Sequence, residues 1–156
     1  MKKVLPKVKR IINMSLKQAK FYGDDVVRIE HIIISLINDY NNNAIKTLLK
    51  MGVDVDKLHK KIEIKLIKEK DDFVEVKINS KDIPLDDITE NILKGAEKEC
   101  DLLNDNYLDT QHILLASIKV KSEMSSIFKS MKVSYRNCKS NVVSSIEPAE
   151  TDGDKS

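Results

Sequence analysis

Residues 30–37 read "EHIIISLI" and residues 111–118 read "QHILLASI". Each stretch opens with a polar residue and a histidine and then runs apolar, and His31 and His112 stand 81 positions apart. The register holds upstream of both: Ile12 falls on Leu93, Ala19 on Cys100, Gly23 on Asn104 and Val27 on Leu108. After a one-residue gap in the loop near Asn41 the offset becomes 80. Leu48, Met51, Val53, Leu58 and Ile62 then fall on Phe128, Met131, Val133, Cys138 and Val142. Apolar positions meet apolar positions, which is the mark of one structural unit written twice.

A chain of 156 residues accommodates one domain with a real core and is short for a two-domain enzyme. With 41% hydrophobic and 33% charged residues, four glycines and no tryptophan, the composition suits an all-α protein better than a β-rich or disordered one. No apolar run approaches the roughly 20 residues of a membrane span. The start "MKKVLPKVKR" lacks the apolar stretch of a secretory signal, so a cytoplasmic location is expected. Cys100 and Cys138 have neither the number nor the spacing of a disulfide framework or a zinc site and are expected to remain thiols.

The net charge of +2 conceals an imbalance. Residues 1–70 carry 16 Lys+Arg against 8 Asp+Glu, whereas residues 71–156 carry 11 against 17. The lysines of the basic half fall at helix-surface spacings without aromatic stacking partners or a recognition-helix pattern, which weighs against nucleic acid as a partner.

Each unit reads as four helices. The first opens near Pro6, with Val8, Ile11, Ile12, Ser15 and Ala19 on one face, and ends at Gly23. The second is the opening stretch, whose Ile32, Ile33, Leu36 and Ile37 give a wide apolar surface that should be buried. The third begins around Asn41-Asn42-Asn43 and ends at Gly52, a residue suited to a left-handed cap. Asp54 then caps a fourth helix carrying Val55, Leu58, Ile62 and Leu66.

In the second unit, Asp87 and Glu90 have capping-box spacing, and Thr110 and Ser134 are the expected N-caps of its second and fourth helices. Lys132 replaces Gly52, so the third helix should end less comfortably there. Between the units, Phe73, Val74, Val76 and Ile78 partly alternate with charge, as in a short extended segment or a linker lying over the surface. The polar tail "EPAETDGDKS" is expected to be disordered, or the start of a tether.

These residues resemble the repeat domain at the N-terminus of Clp AAA+ unfoldases, the ClpC type in particular. That repeat runs as an amphipathic helix, a short turn, Gly-Thr-Glu-His followed by an apolar run, and a helix ending Leu-x-x-Leu-Gly-Val. Its counterparts are "AKFYGDDVVRIEHIIISLI" with "LLKMGV" and, less closely, "CDLLNDNYLDTQHILLASI" with "FKSMKV". The resemblance implies two pseudo-symmetric four-helix repeats forming one globular domain of about eight helices. It would occupy residues 1–147, as repeat one (5–68), a linker (69–84) and repeat two (85–147), with 148–156 as the tail.

It further implies a non-catalytic domain that receives protein substrates and adaptor proteins. The unfoldase it serves would be a hexamer associating with a Clp peptidase, and the isolated domain would be monomeric, without nucleic-acid or membrane partners. A standalone adaptor or regulator built from the same repeats is the alternative. A Walker A loop needs Gly-x-x-x-x-Gly-Lys followed by Ser or Thr, and none of Gly23, Gly52, Gly95 or Gly153 begins one. No cofactor is expected.

His31 and His112 are expected in the first turn of a buried helix, where a ring nitrogen can satisfy a backbone group or fix the turn between helices. With His59 as the only other histidine and no acidic or cysteine cluster, a structural role is expected for them, as for Gly23 and Gly52, and no metal site. In some ClpC-like relatives the neighbouring Thr-Glu pair of each repeat holds phosphorylated arginine. Here Glu30 keeps the acid while Ile29 and Arg28 replace Thr and Gly, and Thr110 is kept while Gln111 replaces the acid. Arg28, Glu30, Thr110 and Gln111 therefore either cap helices or mark a diverged peptide or adaptor surface.

Overall fold

The computed structural model describes residues 3–68 and 83–142. The extended or surface segment expected at Phe73–Ile78, most of the linker (69–82) and the tail (148–156) lie outside the described residues. Eight helices run in order among the described residues: α1 (Pro6–Phe21), α2 (Ile29–Asp39), α3 (Asn43–Lys50), α4 (Val55–Lys68), α5 (Asp87–Leu102), α6 (Thr110–Lys119), α7 (Glu123–Ser130) and α8 (Tyr135–Asn141). Two-residue strands, β1 (Lys3–Val4) and β2 (Tyr107–Leu108), pair in parallel. The fold is all-α, and none of these helices is long and apolar enough to cross a membrane.

The helices begin and end where their residues demand. Pro6 opens α1, where a missing N–H costs nothing. Asn42 accepts the Ile45 N–H to cap α3, Asp54 the Lys57 N–H to cap α4, and Ser134 the Asn137 N–H to cap α8. Two caps differ from expectation by one residue. Asp86, not Asp87, caps α5 by accepting the Thr89 N–H. Asp109, not Thr110, caps α6, because the Thr110 hydroxyl is engaged elsewhere.

The chain reverses at the same places in both copies. Gly23 and Asn104 take left-handed φ values of 71° and 57°, and Gly52 and Lys132 take 77° and 62°. Asparagine tolerates this region, whereas lysine is strained in it, as the loss of glycine from the second repeat leads one to expect.

One core runs through both repeats. Its centre is the pair α2 and α6, whose Ile32, Ile33, Ile34, Leu36, Ile113, Leu114 and Leu115 are almost wholly removed from water. Each such side chain contributes about 1.5–3 kcal/mol by burial. α1 packs on α2 and α5 on α6. At the first crossing the Ser15 and Ser35 hydroxyls bond back to the Ile11 and His31 carbonyls and meet at 3.3 Å. At the second, Ala96 and Ala116 occupy the equivalent positions and are equally buried. Both solutions use small residues, which let helix backbones approach.

The repeats are joined crosswise. Val4 of the first copy pairs with Leu108 of the second, and Leu85 of the second, the counterpart of Val4, bridges to Val27, the counterpart of Leu108. The Leu5 N–H donates to the Leu108 carbonyl at 3.0 Å, and the Asp86 N–H donates to the Val27 carbonyl at the same distance. Each copy thus gives the other what it receives, the reciprocity of an isologous interface written within one chain.

Candidate functional site

Both histidines complete the same circuit. The His31 Nδ1 accepts the Arg28 N–H at 2.9 Å, and the His112 Nδ1 accepts the Asp109 N–H at 2.9 Å. That leaves Nε2 as the protonated nitrogen. It donates to Asp24 Oδ2 in the first copy and Asp105 Oδ2 in the second, each at 2.7 Å. The imidazole does for the N-cap N–H what glutamate does in an ordinary capping box, and its other nitrogen ties the preceding turn to the helix. Both rings are fully buried with both nitrogens engaged. Among the described residues no group of His, Cys, Asp and Glu gathers as metal ligands would.

The four residues singled out beside the histidines fall in two different places. At the start of α6, the Thr110 hydroxyl accepts the Ala44 N–H at 3.0 Å, and the Asn43 side chain donates to Asp109 Oδ2 at 3.1 Å. Thr110 and Asp109 thus hold the N-terminus of α3 from the other repeat. Gln111 beside them is fully buried.

At the start of α2 the corresponding residues are Arg28, Ile29 and Glu30, which cannot make that clasp. Arg28 turns to Asp86, the cap of α5, at 3.7 Å rather than to Glu30. Glu30, 4% exposed, is met by the Lys65 ammonium of α4 at 2.9 Å, and Lys65 also lies 3.7 Å from Glu123 at the start of α7. A hydrogen-bonded clasp on one side of the pseudo-twofold is an ion cluster on the other.

Four partners in these contacts, Asp24, Asp105, Asn43 and Lys65, escaped the sequence reading. Asp24 and Asp105 obey the 81-residue offset and were findable by extending it. Asn43 and Lys65 carry no repeat signal, since their counterparts are Glu123 and Ser145.

Two tyrosines tie the outer helices. The Tyr22 hydroxyl, at the end of α1, donates to Glu63 Oε2 on α4 at 2.9 Å, and the Tyr135 hydroxyl on α8 donates to Glu99 Oε1 on α5. Burial, then the carboxylate beside each phenol, pushes both up to about 12. Burial also pushes the Cys138 thiol up to about 12, so it is a poor nucleophile at neutral pH.

Two of the open surface grooves carry isoleucines beside charged side chains. One lies between α4 and α7, with Ile64 and Ile127 between Lys61, Lys68 and Glu123. The other lies between α6, α7 and α8, with Ile118, Val133 and Tyr135 bordered by Lys119, Lys121, Lys129 and Lys132.

This architecture is shared with known proteins. The ClpB chaperone of Bacillus anthracis is 26% identical over 107 residues, covering 69% of this chain but 12% of ClpB. The Hsp104 N-terminal domain of Candida albicans superposes with a TM-score of 0.72 at 18% identity, over 97% of this chain and 92% of that domain. A ClpV N-domain, solved in complex with a VipB peptide, superposes with a TM-score of 0.65 at 14% identity, over 92% and 91% of the two chains. The duplicated unit, its crosswise joint and a match across residues 3–148 to the Clp repeat (R) N-terminal domain agree, and the chain belongs to that family.

Proposed function

We propose that this chain is the protein-recruiting domain of a ClpC-like, ATP-driven unfoldase, and that it holds adaptors or substrates for a motor it does not itself contain. The observation that carries this reading is the family match over residues 3–148. The buried polar groups support it: the histidines, Thr110 and Glu30 are consumed in holding helices together, which leaves the exposed grooves to do the binding. The ClpV N-domain of the same fold takes a peptide, which makes peptide capture a reasonable use of this scaffold.

The domain works in the cytoplasm, as a monomer when isolated and within a hexamer paired with a Clp peptidase when part of the parent protein. It needs no cofactor of its own. Arg28, Glu30, Thr110 and Gln111 serve the recruiting surface from beneath, by fixing the helices that form it. Capture of a phosphorylated arginine at Glu30 would first require displacing Lys65.

Extending the reading frame beyond Ser156 should reveal a Walker A sequence. Removing residues 3–148 from the parent should abolish adaptor-dependent degradation while basal ATP hydrolysis persists. Undiminished degradation by the truncated parent would refute the proposal.

A further inference from the structure

We propose that the groove between α6, α7 and α8 receives an acidic, partly apolar segment of a partner protein. This rests on the recruitment reading and names the face and the chemistry. Half-buried Ile118 supplies apolar surface over the buried Val133, half-buried Tyr135 forms one wall, and Lys119, Lys121, Lys129 and Lys132 border them. All four lysines are exposed. A fifth, Lys139, stands 5.7 Å from the centre of the Tyr135 ring. Five of the 11 basic residues of 71–156 therefore gather at one groove, in the half of the chain that carries 17 acids. Among the described residues none of Lys121, Lys129 and Lys132 has a carboxylate within salt-bridge distance.

The first repeat is an internal control. The positions equivalent to Lys119, Lys121, Lys129, Lys132 and Lys139 are Asn38, Tyr40, Leu49, Gly52 and His59. The same succession of helices and turns forms there without a lysine, so the fold does not require them. Lys119, Lys129 and Lys139 lie in last helical turns, where a cation complements the helix dipole. That accounts for three of the five. It does not account for Lys121, which lies in the loop after α6, or for Lys132.

Lys132 is the most informative. Its φ of 62° is a conformation that glycine adopts freely and a residue with a Cβ does not, and the first repeat has Gly52 there at 77°. Stability alone favours glycine at both. The strain at this position points to a use for the side chain, and Lys132 lines the groove.

The chemistry favours a carboxylate-bearing peptide over a nucleic acid. Apolar surface suits aliphatic side chains. The groove's one aromatic, Tyr135, has Lys119 5.0 Å and Lys139 5.7 Å from its ring centre and its hydroxyl committed to Glu99, so it is poorly placed to stack on a base.

Fluorescence anisotropy with three labelled probes tests this: a short peptide alternating Glu and Leu, its Gln-for-Glu counterpart, and a single-stranded oligonucleotide. The Glu peptide should bind best, and its binding should weaken as salt rises. Lys132→Gly should weaken it about three-fold while raising the Tm by about 3 °C. Lys121→Gln should weaken it similarly without moving the Tm. A merely structural lysine at 132 would give the stabilisation without the loss of binding, and that result overturns the proposal. Equal affinity for the Gln peptide, or tighter binding of the oligonucleotide, overturns it too. Binding of neutral peptides unaffected by either variant removes this groove and leaves recruitment standing, whereas silence from every peptide removes recruitment itself.

Discussion

Replacing His112 with leucine keeps the size and apolarity of the site but breaks the circuit that joins the turn to α6. Two bonds are lost: the Asp109 N–H to Nδ1 at 2.9 Å and the Nε2–H to Asp105 Oδ2 at 2.7 Å. The backbone N–H is left buried without an acceptor, at a cost of about 1–3 kcal/mol. The bond to a carboxylate is worth about 1.5–3 kcal/mol, and the lower end applies because the Asp105 side chain keeps 24% of its exposure and water can replace the donor. The sum is about 3 kcal/mol. With a urea m-value of about 2 kcal/mol/M, this lowers the unfolding midpoint by about 1.5 M. Urea titration followed by circular dichroism measures it, with an unchanged slope showing that only stability moved. His31→Leu should cost as much, since Asp24 and the Arg28 N–H make the same bonds. A midpoint unmoved in both variants would show that the imidazoles merely fill space, and a shift in one alone would show that the copies are not built on the same device.

Other perturbations follow the same geometry. Ile33→Asp and Leu114→Asp each bury a charge in the α2–α6 core, where both side chains are 1% exposed, and should cost about 4 kcal/mol or prevent folding, as thermal unfolding would show. Lys65→Ala leaves Glu30 buried without its 2.9 Å partner and should destabilise by about 2 kcal/mol. A double-mutant cycle with Glu30→Gln should recover much of that loss, and strict additivity would argue against the pair. The Tyr22 and Tyr135 phenols are raised from 10.0 to about 12 and the Cys138 thiol from 9.0 to about 12, so all three hold their protons more tightly folded than unfolded. Their contribution is whole below pH 9 and is lost as the pH climbs toward 12, so stability should fall through that window. Tyr22→Phe and Tyr135→Phe together with Cys138→Ala should flatten the fall.

The fold was legible because the duplication put every long element on the page twice. Periodicity placed the helices, and Gly23 and Gly52 marked reversals that Asn104 and Lys132 repeat with the same handedness. The crosswise pairing of Val4 with Leu108 and Val27 with Leu85 was not legible, because two-residue strands have no period to read. One-residue errors at Asp86 and Asp109 share a cause: runs such as Asp86-Asp87 and Asp109-Thr110 offer two adjacent capping residues, and only the three-dimensional contacts choose. The sequence reading of Arg28, Glu30, Thr110 and Gln111 saw a broken motif in each copy. In the structure Thr110 clasps α3 across the repeat boundary while Glu30 is met by Lys65, and neither partner is adjacent in sequence.

Recruitment without nucleotide chemistry is tested most directly by a residue-resolved NMR titration of the isotope-labelled chain, first with a mixed peptide library and then with Mg–ATP. Saturable shifts confined to exposed groove residues on adding peptide, and none on adding Mg–ATP, are the predicted result. Saturable shifts with Mg–ATP and silence with every peptide would contradict it.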